Sequence, residues 1–331
     1  MKQVLKEFMD LGFTQEEVFK IFEVRKKVQA FKKTDIHNRF KSLCLFFKKF
    51  RKTPSEVRKK ILQSPKLFDY SPEFIETNFK KIASIFNRQE KEVFSHFWDT
   101  PLLFSISANT MERTIKAQAD VLNVPFEIWR EIVLKKPPVL KKSANMIKSS
   151  VHLIASEFSI PTEEWIKISL KASELLCADP NTLIKKTKEH AKILGTNVQG
   201  IVKSFSSFPS LFYLDPQKLQ AKYDFMKQMY FDDLISLDDG GEKKETALQQ
   251  YLLKKALILV YSLEALELKR VYAQFIKNKK GKAQKAPLYR TEINIIKELE
   301  TAPTSFWTPT RYAIFQKRLS QRRKEQHERS E

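Results

Sequence analysis

Lys185, Lys188 and Lys192 lie three and four residues apart, the spacing that puts side chains on one face of a helix, and the same three positions recur at intervals of 36 residues. Reading the chain at that interval gives Lys41, Cys44 and Lys48; Thr77, Lys80 and Ser84; Arg113, Lys116 and Asp120; Ser149, His152 and Ser156; the lysine trio; and Ala221, Asp224 and Gln228. Eight of these 18 positions are Lys or Arg and two are acids, whereas 60 Lys+Arg in 331 residues would place about three there. A row of cations on successive helices neutralises a sugar-phosphate backbone and releases its counterions. Such contacts position a nucleic acid without reading its bases. An ordinary solvated face of lysines is the competing reading, and the fourth and sixth sets supply no Lys or Arg.

Other chemistry finds little support. The five histidines, His37, His96, His152, His190 and His327, show no metal-ligand spacing, and the chain carries no glycine-rich phosphate loop and no nucleophile motif. The expectation is therefore a protein without catalytic residues, metal or cofactor. His152 falls in the cationic row, where it either supplements phosphate binding or is a plain surface histidine. Trp98, Trp129, Trp165 and Trp307 offer rings for stacking on bases, but Trp129 and Trp165 occupy an apolar register that marks them as core. Cys44 and Cys177 are far apart in sequence and read as reduced, half-buried residues.

The formal charge of +21 predicts attraction to a polyanion, nucleic acid before anionic membrane. No run of about 18 apolar residues occurs, so no membrane span is expected. Between Lys269 and Glu331 there are 16 Lys/Arg and 6 acids, a net of +10 in 63 residues. Lys269, Arg270, Lys279, Lys280 and Lys282 therefore join the candidate phosphate contacts. Lys277 to Lys282 reads as a basic loop, and the end from Gln316 as a charged helix that frays.

The elements that must hold these cations repeat with them. Pro65-Lys66-Leu67-Phe68 returns as Pro101-Leu102-Leu103-Phe104, Pro137-Pro138-Val139-Leu140 and Pro209-Ser210-Leu211-Phe212, each 36 residues or a multiple apart, with Ser173-Glu174-Leu175-Leu176 filling the gap without proline. Such a spacing marks a repeat. Asp35, Ser71, Ser107, Ser143, Asp179 and Asp215 follow the same period, and all are N-cap types whose side-chain oxygen accepts from an orphan backbone N–H. Behind each cap runs an apolar stripe of helical period, such as Ile75, Phe79, Ile82, Ala83 and Phe86. A second helix follows, with Val57, Val93, Trp129, Trp165 and Ile201 in its apolar register, and the proline ends it. Leu67, Leu103, Val139, Leu175 and Leu211 are predicted to be buried wedges between layers. After Tyr230 the period breaks at Asp232-Asp233 and Asp238-Asp239, a solvated insertion over 232–245, and resumes at Ala256 and Ser262. The N-terminal copy fits with three extra residues.

Together these features resemble the mitochondrial transcription termination factor (mTERF) family. The resemblance rests on the repeated Pro-x-Leu-Phe element, on Leu11-Gly12-Phe13-Thr14-Gln15-Glu16-Glu17-Val18 as a second-helix start, and on Leu259 to Glu264 followed by Lys269-Arg270. It implies an all-α fold, a curved α-solenoid of about six to seven 36-residue repeats, each with two α-helices and a short 3₁₀ turn. The helical repeat domain spans 1–276 and a basic C-terminal extension 277–331. It also implies a non-catalytic protein that holds double-stranded DNA or structured RNA in a basic groove, as a monomer, in transcription or in RNA and ribosome regulation. Ser173 and Ala256 depart from the family's usual proline, and Lys269 stands where proline often precedes arginine. The acid-bearing N-terminal stretch is unlike a transit peptide, so bacterial cytoplasm or delivery into a host cell stands beside the mitochondrion as the compartment. The alternative function is a helical scaffold for an acidic protein partner.

Overall fold

A computed structural model describes residues 2–30, 33–231, 244–280 and 292–330. Among these the chain is helical without a strand, and it divides into two compact units, Met1–Ser150 and Val151–Glu331. Seven sets of first helix, second helix and short turn follow one another, and an eighth first helix, Leu263–Lys280, closes the series. The all-α helical-repeat expectation holds.

The caps start the first helices as their residue types predict. Ser71, Ser107, Ser143 and Asp179 accept from the backbone N–H three residues on, at 3.2, 3.2, 3.2 and 2.7 Å. Asp215 accepts from Gln217 at 2.9 Å, and Ser262, in the shifted register, from Ala265 at 3.2 Å. Each such cap is worth about 1 kcal/mol. Asp35 differs: the helix Lys33–Lys48 begins two residues before it. It is thus a first-turn acid facing the positive end of the helix dipole, not a cap.

A device at the other end of the first helices recurs with the repeat. Gly12, Arg51, Asn87, Asn123, Ser159 and Gly195 all have positive φ, between 50° and 87°, and the last five stand 36 apart. In each case the next residue's N–H reaches a carbonyl five back, as in Phe13 to Phe8, Lys52 to Phe47, Val124 to Ala119 and Thr196 to Ala191. This is the Schellman closure, which satisfies the helix's last carbonyls and reverses the chain into the second helix. Glycine and asparagine tolerate this left-handed backbone; Arg51 and Ser159 do so at a cost of about 1 kcal/mol.

The proline elements are single 3₁₀ turns, Pro65–Asp69, Pro101–Ser105, Pro137–Lys141 and Pro209–Tyr213. The residues before these prolines share one non-helical backbone, as at Lys136 with φ −134° and ψ 66°. Ala172 has nearly the same backbone, φ −140° and ψ 84°, although Ser173 follows it; the turn there, Glu174–Cys177, closes as one α turn. Arg25 at −135° and 74° likewise opens the 3₁₀ turn Lys26–Ala30 without proline. Packing therefore sets this geometry, and proline only pre-selects it. The five predicted wedges, Leu67, Leu103, Val139, Leu175 and Leu211, are all 3% exposed or less. Each contributes about 1.5–3 kcal/mol relative to exposure.

In the first unit the wedges sit among interlocking rings: Phe47 contacts Phe94 and Phe104, and Phe50 stacks on Phe94 at 3.9 Å. In the second unit Phe212 meets Phe158, Trp165 and Phe205. The boundary expected after residue 276 falls inside the helix Leu263–Lys280, and the residues beyond it are not a bare extension. Ile295, Ile296, Leu299, Phe306 and Phe315 form one core with Leu268, Val271, Tyr272, Phe275 and Ile276. These helices cover the apolar face that the last repeat would otherwise expose, the role a terminal cap plays in a repeat protein. The insertion at 232–243 lies outside the described residues; Lys244 and Glu245 already belong to the helix Lys244–Lys254.

Candidate nucleic-acid interface

Polar side chains on the buried flank of the first helices fix each helix against the short turn that ends its own repeat. In the first unit Arg39 donates to the carbonyls of Phe68 and Tyr70 at 2.6 and 3.1 Å, and Asn78 donates to Ile106 O and accepts from Ala108 N, both at 2.7 Å. Gln118 donates to the carbonyls of Val139 and Lys142 at 3.2 and 2.7 Å. In the second unit His190 Nε2 donates to Leu214 O at 2.9 Å and Lys222 to Leu259 O at 2.6 Å. These bonds satisfy carbonyls that the short turns leave open. Burial, then the nearby Lys218 charge, holds the Lys222 ammonium below its usual range.

With that flank fixed, the opposite flank is solvent-facing. Lys41, Lys48, Lys80, Arg113 and Lys116 are exposed in the first unit, and His152, Lys185, Lys188 and Lys192 in the second. Cys44 alone of the 18 positions is half-buried, and burial pushes its thiol up to about 11. Lys80 meets Glu76 at 3.3 Å, Lys116 meets Glu112 at 2.7 Å and Lys188 meets Glu157 at 2.7 Å. Hydrogen bonds from Lys49 and then Lys80 hold the Glu76 carboxyl below the usual carboxylate range. Among the described residues Lys41, Lys48, Arg113, Lys185 and Lys192 form no ion pair. Exposed pairs of this kind are worth about 0–1 kcal/mol, so a phosphate can displace the carboxylate at little cost.

The C-terminal candidates fare differently. Lys269 is 0% exposed, its ammonium 4.4 Å from the Tyr261 ring, and it leaves the set of surface cations. The reason is its register: it lies between Leu268 and Val271 on the face packed into the core. Arg270 is half-buried with its guanidinium 5.2 Å from the Phe225 ring. Lys279 and Lys280 end the helix Leu263–Lys280, so the basic loop expected from Lys277 is helical up to Lys280; Lys282 lies outside the described residues.

His152 stands at the surface with Nδ1 3.4 Å from Thr162 Oγ1. Trp129 and Trp165 are fully buried, as their register required, and Trp307 packs on Phe306 and Phe315. Among the described residues no group of three His, Cys, Asp or Glu is placed to hold a metal ion, and no helix is long and apolar enough to cross a membrane.

A sequence profile of one family matches residues 1–124 and again 118–232, two tandem stretches that follow the repeat. The chain belongs to the mTERF family. No individual curated protein matches it. mTERF proteins are nucleic-acid-binding helical-repeat proteins, generally without catalytic activity. In this mTERF chain the helix-to-turn bonds from Arg39, Asn78, Gln118, His190 and Lys222 escaped sequence reading, because five different residue types perform one task and leave no motif.

Proposed function

We propose that this mTERF protein is a non-catalytic binder of double-stranded DNA or structured RNA, acting in transcription or in RNA or ribosome regulation. Its units grip phosphates through the exposed flank of their first helices: Lys41, Lys48, Lys80, Arg113 and Lys116 in one, Lys185, Lys188 and Lys192 in the other, with His152 beside the latter. The observation that carries this reading is the lysine trio. All three side chains are exposed on the single helix Pro180–Ile193, whose other face is buried through Leu183, Ile184, Thr187 and Ala191. The rigid helix presents three charges at fixed spacing, which lowers the ordering cost of contacting a regular polyanion. Contacts of this type carry no base code, so sequence preference would come from the shape of the duplex or RNA fold.

The test is a fluorescence-anisotropy titration of a labelled duplex and a labelled RNA hairpin between 50 and 200 mM salt. Affinity should fall linearly on a log–log plot, with a slope of roughly −0.9 per phosphate neutralised for the duplex. Binding indifferent to salt, or an acidic protein retained in place of either nucleic acid, would contradict it.

A further inference from the structure

Away from the first-helix flank, the first unit contains a cavity of about 590 Å³ walled by three successive turns of the repeat, Pro65–Asp69, Pro101–Ser105 and Pro137–Lys141. We propose that this cavity binds a phosphate group. Lys60, Lys66 and Lys141 line it, and among the described residues Asp99 is the one carboxylate in its lining.

Lys60 is the decisive residue. It is 9% exposed, yet among the described residues its ammonium meets only Asp99, at 3.3 Å, and the Trp98 ring, at 5.0 Å. The Asp99 side chain is itself 91% exposed, so its charge is largely screened by water. A buried ammonium with three donors demands more than this, because its desolvation is repaid only by close acceptors. No second acceptor reaches it among the described residues. Ser64, in the same wall, is 4% exposed and its Oγ is shut off from solvent, so it offers the cavity no donor. Thr100 is also buried there. Arg25 does not add to the site, since Asp69 already holds its guanidinium. The arrangement is a recessed cation with two further lysines at the walls, which suits a compact, multiply charged oxyanion. The phosphate belongs either to a nucleic-acid backbone or to a free phosphorylated molecule.

The probe is sodium pyrophosphate, titrated calorimetrically into the full chain, into Lys60→Met and into Lys141→Gln. Saturable one-site binding that weakens at least tenfold in Lys60→Met and severalfold in Lys141→Gln is expected. Lys141→Gln changes an exposed residue and keeps the test open if Lys60→Met fails to fold. Absence of saturable binding, or equal binding by wild type and the folded variants, overturns the proposal. A chain with Lys185, Lys188 and Lys192 all changed to Glu should bind pyrophosphate as wild type does, so this site and the first-helix flank succeed or fail separately. Titration with a DNA duplex already bound identifies the source: lost pyrophosphate binding marks a backbone phosphate, and unchanged binding a free phosphorylated ligand.

Discussion

Trp129 donates its indole N–H to the side-chain oxygen of Gln118 at 3.2 Å, and both residues are fully buried. The Gln118 amide nitrogen serves the carbonyls of Val139 and Lys142, so one side chain joins a first helix, a second helix and a turn. Gln118→Leu removes all three bonds and strands a buried indole N–H. It should destabilise the chain by about 2–4 kcal/mol, since an unsatisfied buried group costs about 1–3 kcal/mol beyond the lost bonds. Urea denaturation checks it, and an unchanged midpoint would refute the coupling.

Ser173 has φ −60°, the value proline imposes, and Ala172 before it already has pre-proline geometry. Ser173→Pro should therefore raise stability by about 0.4–1 kcal/mol by restricting the unfolded chain. A lowered denaturation midpoint would show that the turn needs the Ser173 N–H.

Asn123 holds φ 51° at the Schellman closure of the helix Ala108–Val121. A β-branched residue is poorly suited to that backbone, so Asn123→Val should cost about 1–2 kcal/mol, while Ser159→Asn should be neutral or stabilising. Thermal melts of the two variants would contradict the reading if they shifted the other way.

His190 is buried, with Nε2–H donating to Leu214 O, and desolvation holds its pKa below the usual 6.5. A depressed imidazole leaves stability intact above the unfolded pKa. As pH falls below about 6.5 the unfolded chain takes up a proton that the folded chain resists, and stability falls. Comparing denaturation at pH 7.5 and 5.5, the loss should be smaller in His190→Gln than in wild type. Equal losses would remove His190 as its source.

Much of this architecture was legible because serine and aspartate caps, proline and apolar wedges each act through a local, residue-specific preference repeated every 36 positions. Asn87, Asn123, Gly12 and Gly195 carried the signal of the left-handed closure, but Arg51 and Ser159 interrupt it. Lys269 misled because charge marks a surface only on average: a lysine between core positions buries its stem and rests its ammonium on Tyr261. The C-terminal core was hidden because Ile295, Leu299, Phe306 and Phe315 lie beyond the last copy of the 36-residue period, where no repeat register marks them as core. The flank of exposed cations was visible as a period. The recess around Lys60 was not, since it arises where three turns meet.

The central claim rests most directly on binding of a labelled duplex, and of an RNA hairpin, by the chain with Lys185, Lys188 and Lys192 reversed to Glu, measured across a salt series. The account predicts weaker binding on every sequence and a log–log salt slope for the duplex smaller in magnitude by about 2–3, one contact of roughly 0.9 for each lysine lost. Affinity and slope equal to those of the unaltered chain would contradict it.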